Sequence, residues 1–82
     1  MKFKTDVRVT LKDGVLDPQG VTIGRALADL GFDSIVSVGT GKLFELEIDA
    51  ESEAKAREIA AAAASKLLAN PVIEGFKIEV VL

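Results

Sequence analysis

From Lys2 to Leu11 the chain alternates without a fault: Phe3, Thr5, Val7, Val9 and Leu11 fall on one side, and Lys2, Lys4, Asp6, Arg8 and Thr10 on the other. A period of two is the signature of a β-strand with one dry and one wet face. A strand of that kind is stable only when its dry face lies against other elements, so the rest of the chain must supply them. The chain has 82 residues. A domain of that size hides only roughly 60–65 % of the surface its unfolded chain exposes, so the core is small and marginal.

Lys12-Asp13-Gly14 ends the alternation, and Asp17-Pro18 then provides an N-cap acceptor followed by proline at the first helical position, where the missing N–H costs nothing. Ile23, Ala26, Leu27 and Leu30 recur at helical spacing, and Gly31 stands where a left-handed C-cap is needed. Ser34 to Val38 reads as a second strand. Gly39-Thr40-Gly41 offers the positive-φ positions of a tight reversal into a third strand, Lys42 to Ile48, with Phe44, Leu46 and Ile48 inward and Leu43 an apolar exception on the outer face. Asp49 is placed to cap a longer helix, Glu51 and Glu53 complement its dipole, and Ala56, Ile59, Ala60, Ala63, Ala64 and Leu67 form its stripe. Pro71 stops that helix near Leu68 to Asn70. After a short connection from Val72 to Gly75, the last strand alternates, with Phe76, Ile78, Val80 and Leu82 inward and Lys77, Glu79 and Val81 outward.

The order is βαββαβ, which predicts an α+β fold: an open, mostly antiparallel sheet with both helices on one face, as in ferredoxin-like folds. No repeat, low-complexity tract or linker divides the chain, so one domain spans residues 1–82. The outer sheet face carries Lys2, Lys4, Arg8, Glu45, Glu47, Lys77 and Glu79, with Leu43 and Val81 among them, and has no helix left to cover it. Apolar residues make up 49 % of the chain and the mean hydropathy is +0.32. Those values leave apolar surface for a partner, and dimerisation through the outer face or an edge strand is the natural expectation.

Composition removes whole classes of chemistry. The chain has no histidine, cysteine, tyrosine or tryptophan, which excludes Ser-His and Cys-His nucleophile pairs and His or Cys metal sites. Catalytic and metal-binding residues are therefore expected to be none. Glu45, Glu47 and Glu79 lie on the polar side of strands, where charge is ordinarily just solvated. A net charge of -3 opposes binding to nucleic acid or an anionic membrane. The phenylalanines Phe3, Phe44 and Phe76 share the inward parity, which leaves no aromatic platform for RNA, and all four phenylalanines, Phe32 included, are expected to anchor the core. Gly39-Thr40-Gly41-Lys42 lacks Walker spacing and precedes a strand, so it reads as a hairpin turn, with Lys42 free to contact a partner or an anion. Ala60 to Ala64 is smooth enough for another helix to approach closely. No signal-length or membrane-length apolar run is present, so a soluble, unprocessed cytoplasmic protein is expected.

Several segments together resemble one family. Val9-Thr10-Leu11-Lys12-Asp13-Gly14-Val15-Leu16-Asp17-Pro18-Gln19-Gly20 is similar to the signature block of PurS, the small subunits of phosphoribosylformylglycinamidine (FGAM) synthase. Ala26-Leu27 with Leu30-Gly31-Phe32, Gly41-Lys42 with Glu45-Leu46, and Leu67 to Glu74 with Phe76 and Ile78-Glu79 match further family positions in order. The resemblance implies a non-catalytic component that dimerises and bridges a large synthetase subunit (PurL) and a glutaminase subunit (PurQ). It implies that the complex, rather than this chain, uses ATP and magnesium, and replaces the formyl amide oxygen of its ribonucleotide with ammonia from glutamine. It also implies partner contact or helix shaping at Lys12, Asp17, Pro18, Gln19 and Gly20, and at Lys42, Asn70 and Glu74. Starting a helix accounts for Asp17 and Pro18 but not for Gln19. Gly39 departs from the family, many of whose members carry arginine there. The competing class is an ACT-like regulatory module, which shares the element order and binds a small ligand at a dimer interface; a stabilising ligand found without partner proteins would favour it. A carboxylate-and-lysine enzyme would require turnover by the chain alone. Light scattering at micromolar concentration is expected to give more than one chain's mass; a single-chain mass would refute self-association.

Overall fold

The alternating segment Lys2–Leu11 forms β1, the central strand of a three-stranded sheet, in a computed structural model that describes residues 1–81. β1 pairs antiparallel with β2 (Gly41–Asp49) on one edge and β3 (Glu74–Val81) on the other. Thr5 stands between Leu46 and Val80, and Val7 between Phe44 and Ile78. Slipping this register by one residue would turn the apolar set to water, so the hydrophobic pattern fixes it. The inward parities hold for Phe44, Leu46, Ile48, Phe76, Ile78 and Val80; Leu82 lies outside the described residues.

Helix α2 (Glu53–Ala63) covers the inward face. Ala56, Ala60 and Ala64 recur every fourth residue and are fully buried, as are Thr5, Val7 and Val9 of the central strand. Alanine on this stripe lets the helix lie close to the strand, so the smooth surface of the helix serves packing within the chain. Ser52, rather than Asp49, is the N-cap, its hydroxyl accepting the Lys55 N–H at 3.1 Å. Asp49 is still in β2, where its carboxylate takes the terminal amine of Met1 at 3.3 Å. At the far end the Ala69 N–H reaches back five residues to the Ala64 carbonyl, which widens the last turn, Ala64–Leu68, into a π turn. Leu67 thereby leaves the buried stripe and is 83 % exposed.

The first helix departs furthest from expectation. Helix α1 (Pro18–Asp29) has the anticipated start and stop, with Asp17 as N-cap and Gly31 at φ +95°. Its apolar stripe, however, is not laid on the sheet: Gly20 is its only buried residue, and it makes almost no contact with the sheet or α2. Only α2 lies on the inward face, and Phe32, 53 % exposed, anchors no core.

Nor do Ser34 to Val38 form a strand within the chain, so the order observed is βαβαβ. The expected hairpin needs positive φ at its turn, and neither Gly39 nor Gly41 has it. After a turn at Ser34 the segment instead runs as an irregular strap beside α1, its Val38 carbonyl close against Gly20. The radius of gyration, 16.0 Å, exceeds the roughly 12 Å of a compact domain of this length because α1 and the strap form an outlying arm.

One side chain in the core is out of place chemically. The Thr5 hydroxyl is fully buried and finds no hydrogen-bond partner among the described residues. Replacing it with a methyl group removes an orphaned polar atom at almost constant shape, so Thr5→Val is expected to stabilise the chain by about 1–2 kcal/mol. Thermal unfolding should show a rise of at least several degrees; an unchanged or lowered midpoint would mean that the hydroxyl is satisfied.

Candidate functional site

The backbone brings three distant segments to one end of the sheet. Antiparallel pairing sets Thr10 opposite Gly41 and Leu11 opposite Glu74, so the end of β1 meets the starts of β2 and β3 there. Lys12, Asp17, Pro18, Gln19 and Gly20 follow β1, Lys42 opens β2, and Asn70 and Glu74 lead into β3. Residues up to 62 positions apart in the chain, from Lys12 to Glu74, thus surround one end of the molecule.

Asp17 is the anchor of this end. Its Oδ1 accepts the Gly20 N–H at 2.9 Å, the capping bond of α1, while Oδ2 accepts the Thr40 N–H at 2.7 Å and the Thr40 hydroxyl at 2.8 Å. One carboxylate therefore starts the helix and fastens the strap to it. The Gly20 N–H first, then the N–H and hydroxyl of Thr40, hold the Asp17 carboxyl below its ordinary value of 3.8. Gly20 completes the clasp: a methyl group there would collide with the Val38 carbonyl oxygen, so only glycine lets the strap come this close. The aspartate and glycine of the signature block are thereby explained by local geometry, and neither is free to act in catalysis.

Asn70 and Glu74 build the turn into β3. The Glu74 carboxylate accepts the Asn70 N–H at 2.7 Å, the Asn70 side-chain oxygen accepts the Val72 N–H at 3.0 Å, and the Asn70 carbonyl accepts the Glu74 N–H at 2.7 Å. Lys12 ties this turn to β1: its ammonium donates to the Pro71 carbonyl at 2.7 Å and its backbone N–H to Ile73 at 2.8 Å. Lys12, Asn70 and Glu74 are thus positioning residues.

Gln19 and Lys42 are different. Among the described residues neither side chain makes a hydrogen bond or ion pair. Both border a shallow cleft of about 180 Å³ that Glu74 also lines. An amide and an ammonium free of internal partners suit recognition of another molecule. Pro18 is exposed at the first turn, where its carbonyl accepts the Thr22 hydroxyl at 3.0 Å. Sequence reasoning missed Thr40, whose role as the strap anchor depends on a contact 23 residues away; no local pattern marks it. Among the described residues no group of His, Cys, Asp and Glu is arranged to hold a metal ion, and no helix is long and apolar enough to cross a membrane.

Comparison with known proteins bears on this end and on the whole chain. The family model described as "PurS: Phosphoribosylformylglycinamidine (FGAM) synthase" matches residues 4–82. The phosphoribosylformylglycinamidine synthase subunit PurS of Methanocaldococcus jannaschii is 44 % identical over 78 residues, covering 95 % of this chain and 94 % of that protein. Its crystal structure superposes with a TM-score of 0.86 over 96 % of this chain and 95 % of the other. A chain of the PurLQS structure from Thermotoga maritima, 34 % identical, gives 0.91 over 99 % of each.

The clasp yields a direct test. Asp17→Asn keeps an oxygen for the Gly20 N–H, since asparagine is also a good N-cap, but turns an NH2 group toward the Thr40 N–H. Helicity should persist while hydrogen exchange at Thr40 accelerates at least several-fold. Because the folded carboxyl is held below 3.8, its contribution is fully present above that pH and is lost as pH falls through the lower folded value. Thr40 protection in the native chain should follow that course, and in Asp17→Asn it should not. Equal protection in both chains at neutral pH would overturn the clasp.

Proposed function

The chain belongs to the PurS family of phosphoribosylformylglycinamidine synthase subunits, and from that premise we propose that it acts as a dimer in the cytoplasm, bridging the synthetase and glutaminase subunits of the complex. FGAM synthase is a ligase of purine biosynthesis, and this chain is its small, non-catalytic subunit. The reading rests chiefly on the likeness, over 99 % of both chains, to a component of PurLQS. A chain without histidine or cysteine, in which the Asp17 carboxylate is occupied by three donors, contributes surface rather than reacting groups.

Two features supply that surface. Leu30, Phe32 and Val36 stand exposed on the arm, at 73 %, 53 % and 96 %, large apolar side chains of the kind that mark contact surfaces. Gln19 and Lys42, whose side chains bond to nothing among the described residues, offer an amide and an ammonium at the sheet end to a neighbouring subunit. ATP and magnesium are used by the synthetase, and ammonia released from glutamine is what the bridged assembly must deliver.

Reconstitution tests the reading. The chain is combined with the synthetase and glutaminase subunits, glutamine, ATP and magnesium, and both gel-filtration co-elution and product formation are followed. Omitting this chain should abolish co-elution and reduce glutamine-dependent synthesis to background, while synthesis from free ammonia persists in the synthetase. Glutamine-dependent activity unchanged by its omission would refute the bridging role.

A further inference from the structure

Asp13, Asp17 and Asn70 all lie at the end of the sheet where β1 stops, and the residue after each decides its covalent fate. The side-chain carbonyl carbon of an aspartate or asparagine can be attacked by the backbone nitrogen of the next residue, closing a five-membered succinimide ring. Proline has no N–H to give up, so Asp17, followed by Pro18, and Asn70, followed by Pro71, are closed to this reaction. Asp13 is followed by Gly14, and of the six aspartates it alone precedes a glycine. Glycine brings no side chain to obstruct the attack.

The fold leaves this pair open. Asp13 and Gly14 are exposed and line a cleft of about 760 Å³, so water reaches both. Among the described residues the Gly14 N–H donates no hydrogen bond, and the Asp13 carboxylate enters no hydrogen bond or ion pair. Gly14 stands at φ +83°, and a methyl group placed on it would meet nothing within 4 Å. A single bond closes the turn around the pair, from the Val15 N–H to the Lys12 carbonyl at 3.2 Å. Ring closure needs only that bond to give way.

We infer that Asp13 is a site of spontaneous isomerisation to isoaspartate in the folded chain. The Gly14 nitrogen attacks Cγ of Asp13; a C–N bond forms, and the amide hydrogen leaves with the carboxyl OH as water. Water then adds to either ring carbonyl. Opening at Cγ restores aspartate. Opening at the backbone carbonyl leaves the main chain running through Cβ and Cγ, with the former backbone carbonyl as the free carboxylate. The water lost in the first step is regained in the second, so the mass is unchanged and the reaction needs no oxidant, reductant or further reactant.

The product adds a methylene to the main chain between two anchors. Before it, Lys12 is held by its N–H to Ile73 at 2.8 Å and by its ammonium to Pro71 at 2.7 Å. After it, Asp17 is held by Gly20 and Thr40. The bond from Val15 to Lys12 spans the added atom and is the one lost, so the isomerised chain exchanges its Val15 amide hydrogen faster.

The full chain, kept folded at neutral pH and physiological temperature for several weeks, provides the test. Peptides spanning each aspartate are separated and fragmented by electron transfer, which breaks the Cα–Cβ bond that isoaspartate places in the main chain. Isoaspartate at Asp13 should exceed that at each of the other five aspartates at least several-fold. The Asp13→Glu chain, whose longer side chain closes a six-membered ring far more slowly, should give none at this position. An unfolded sample of the native chain, kept in denaturant for the same time, shows what the bare sequence does. Isomerisation at Asp13 in denaturant but not in the folded chain would overturn the inference and show that the Lys12–Val15 turn shields the pair. Equal, low levels at all six aspartates in the folded chain would overturn it as well.

Discussion

β1 is hydrogen-bonded along both edges, and everything else in the molecule is placed by that fact. Its inward residues, Phe3, Thr5, Val7 and Val9, are buried because Ile48, Leu46, Phe44, Val80, Ile78 and Phe76 are set beside them by register and α2 lies across the row. Packing of this kind is close because the helix presents alanine. The same choice limits the core: an alanine stripe covers the middle strand fully and the flanking strands only in part. A chain of this size has no further helix on the sheet with which to finish the job.

The unfinished half has a structural cause one loop away. Asp17 spends its two oxygens in different directions, one on the first turn of α1 and one on Thr40, and so welds helix and strap into a unit. Gly20 permits the close approach. The unit leaves the sheet instead of folding over it. Most helices in small domains are held by the face they bury; α1 is held at its start by a cap and along its side by the strap, and its apolar stripe is left to meet other protein. Charge at the surface adds little, since the four ion pairs among the described residues are all substantially exposed.

Much of this was legible in the residues. The alternation of β1, the parity of β2 and β3, the Asp17-Pro18 helix start and the Gly31 stop all follow from short-range stereochemistry, which acts within a turn or a few residues. The residues that family resemblance singled out, Lys12, Asp17, Gln19, Gly20, Lys42, Asn70 and Glu74, lie far apart in the sequence and gather at one end of the sheet. What they do individually was not legible. Asp17 was understood as a cap, but its second task involves Thr40; Lys12 was marked, but its partner is the carbonyl of Pro71. Ser52 displaced Asp49 as the second cap because strand pairing keeps Asp49 in β2.

Ser34 to Thr40 shows where local reading ends. Its β-branched residues and flanking glycines are those of a strand and a hairpin, and that preference is real. A strand, however, exists only as half of a pair, and which edge pairs with it depends on whether the chain turns back at Gly39–Gly41. Sequence alone determined the periodicities, the helix ends, the exclusion of histidine and cysteine chemistry and the family. Tertiary structure decided that the two glycines stay out of the left-handed region, that Thr40 is fastened to Asp17, and that α1 stands away from its own sheet. Those outcomes turn on one carboxylate choosing a donor 23 residues distant, an interaction that depends on the path of the chain in space and leaves no periodic trace in the sequence.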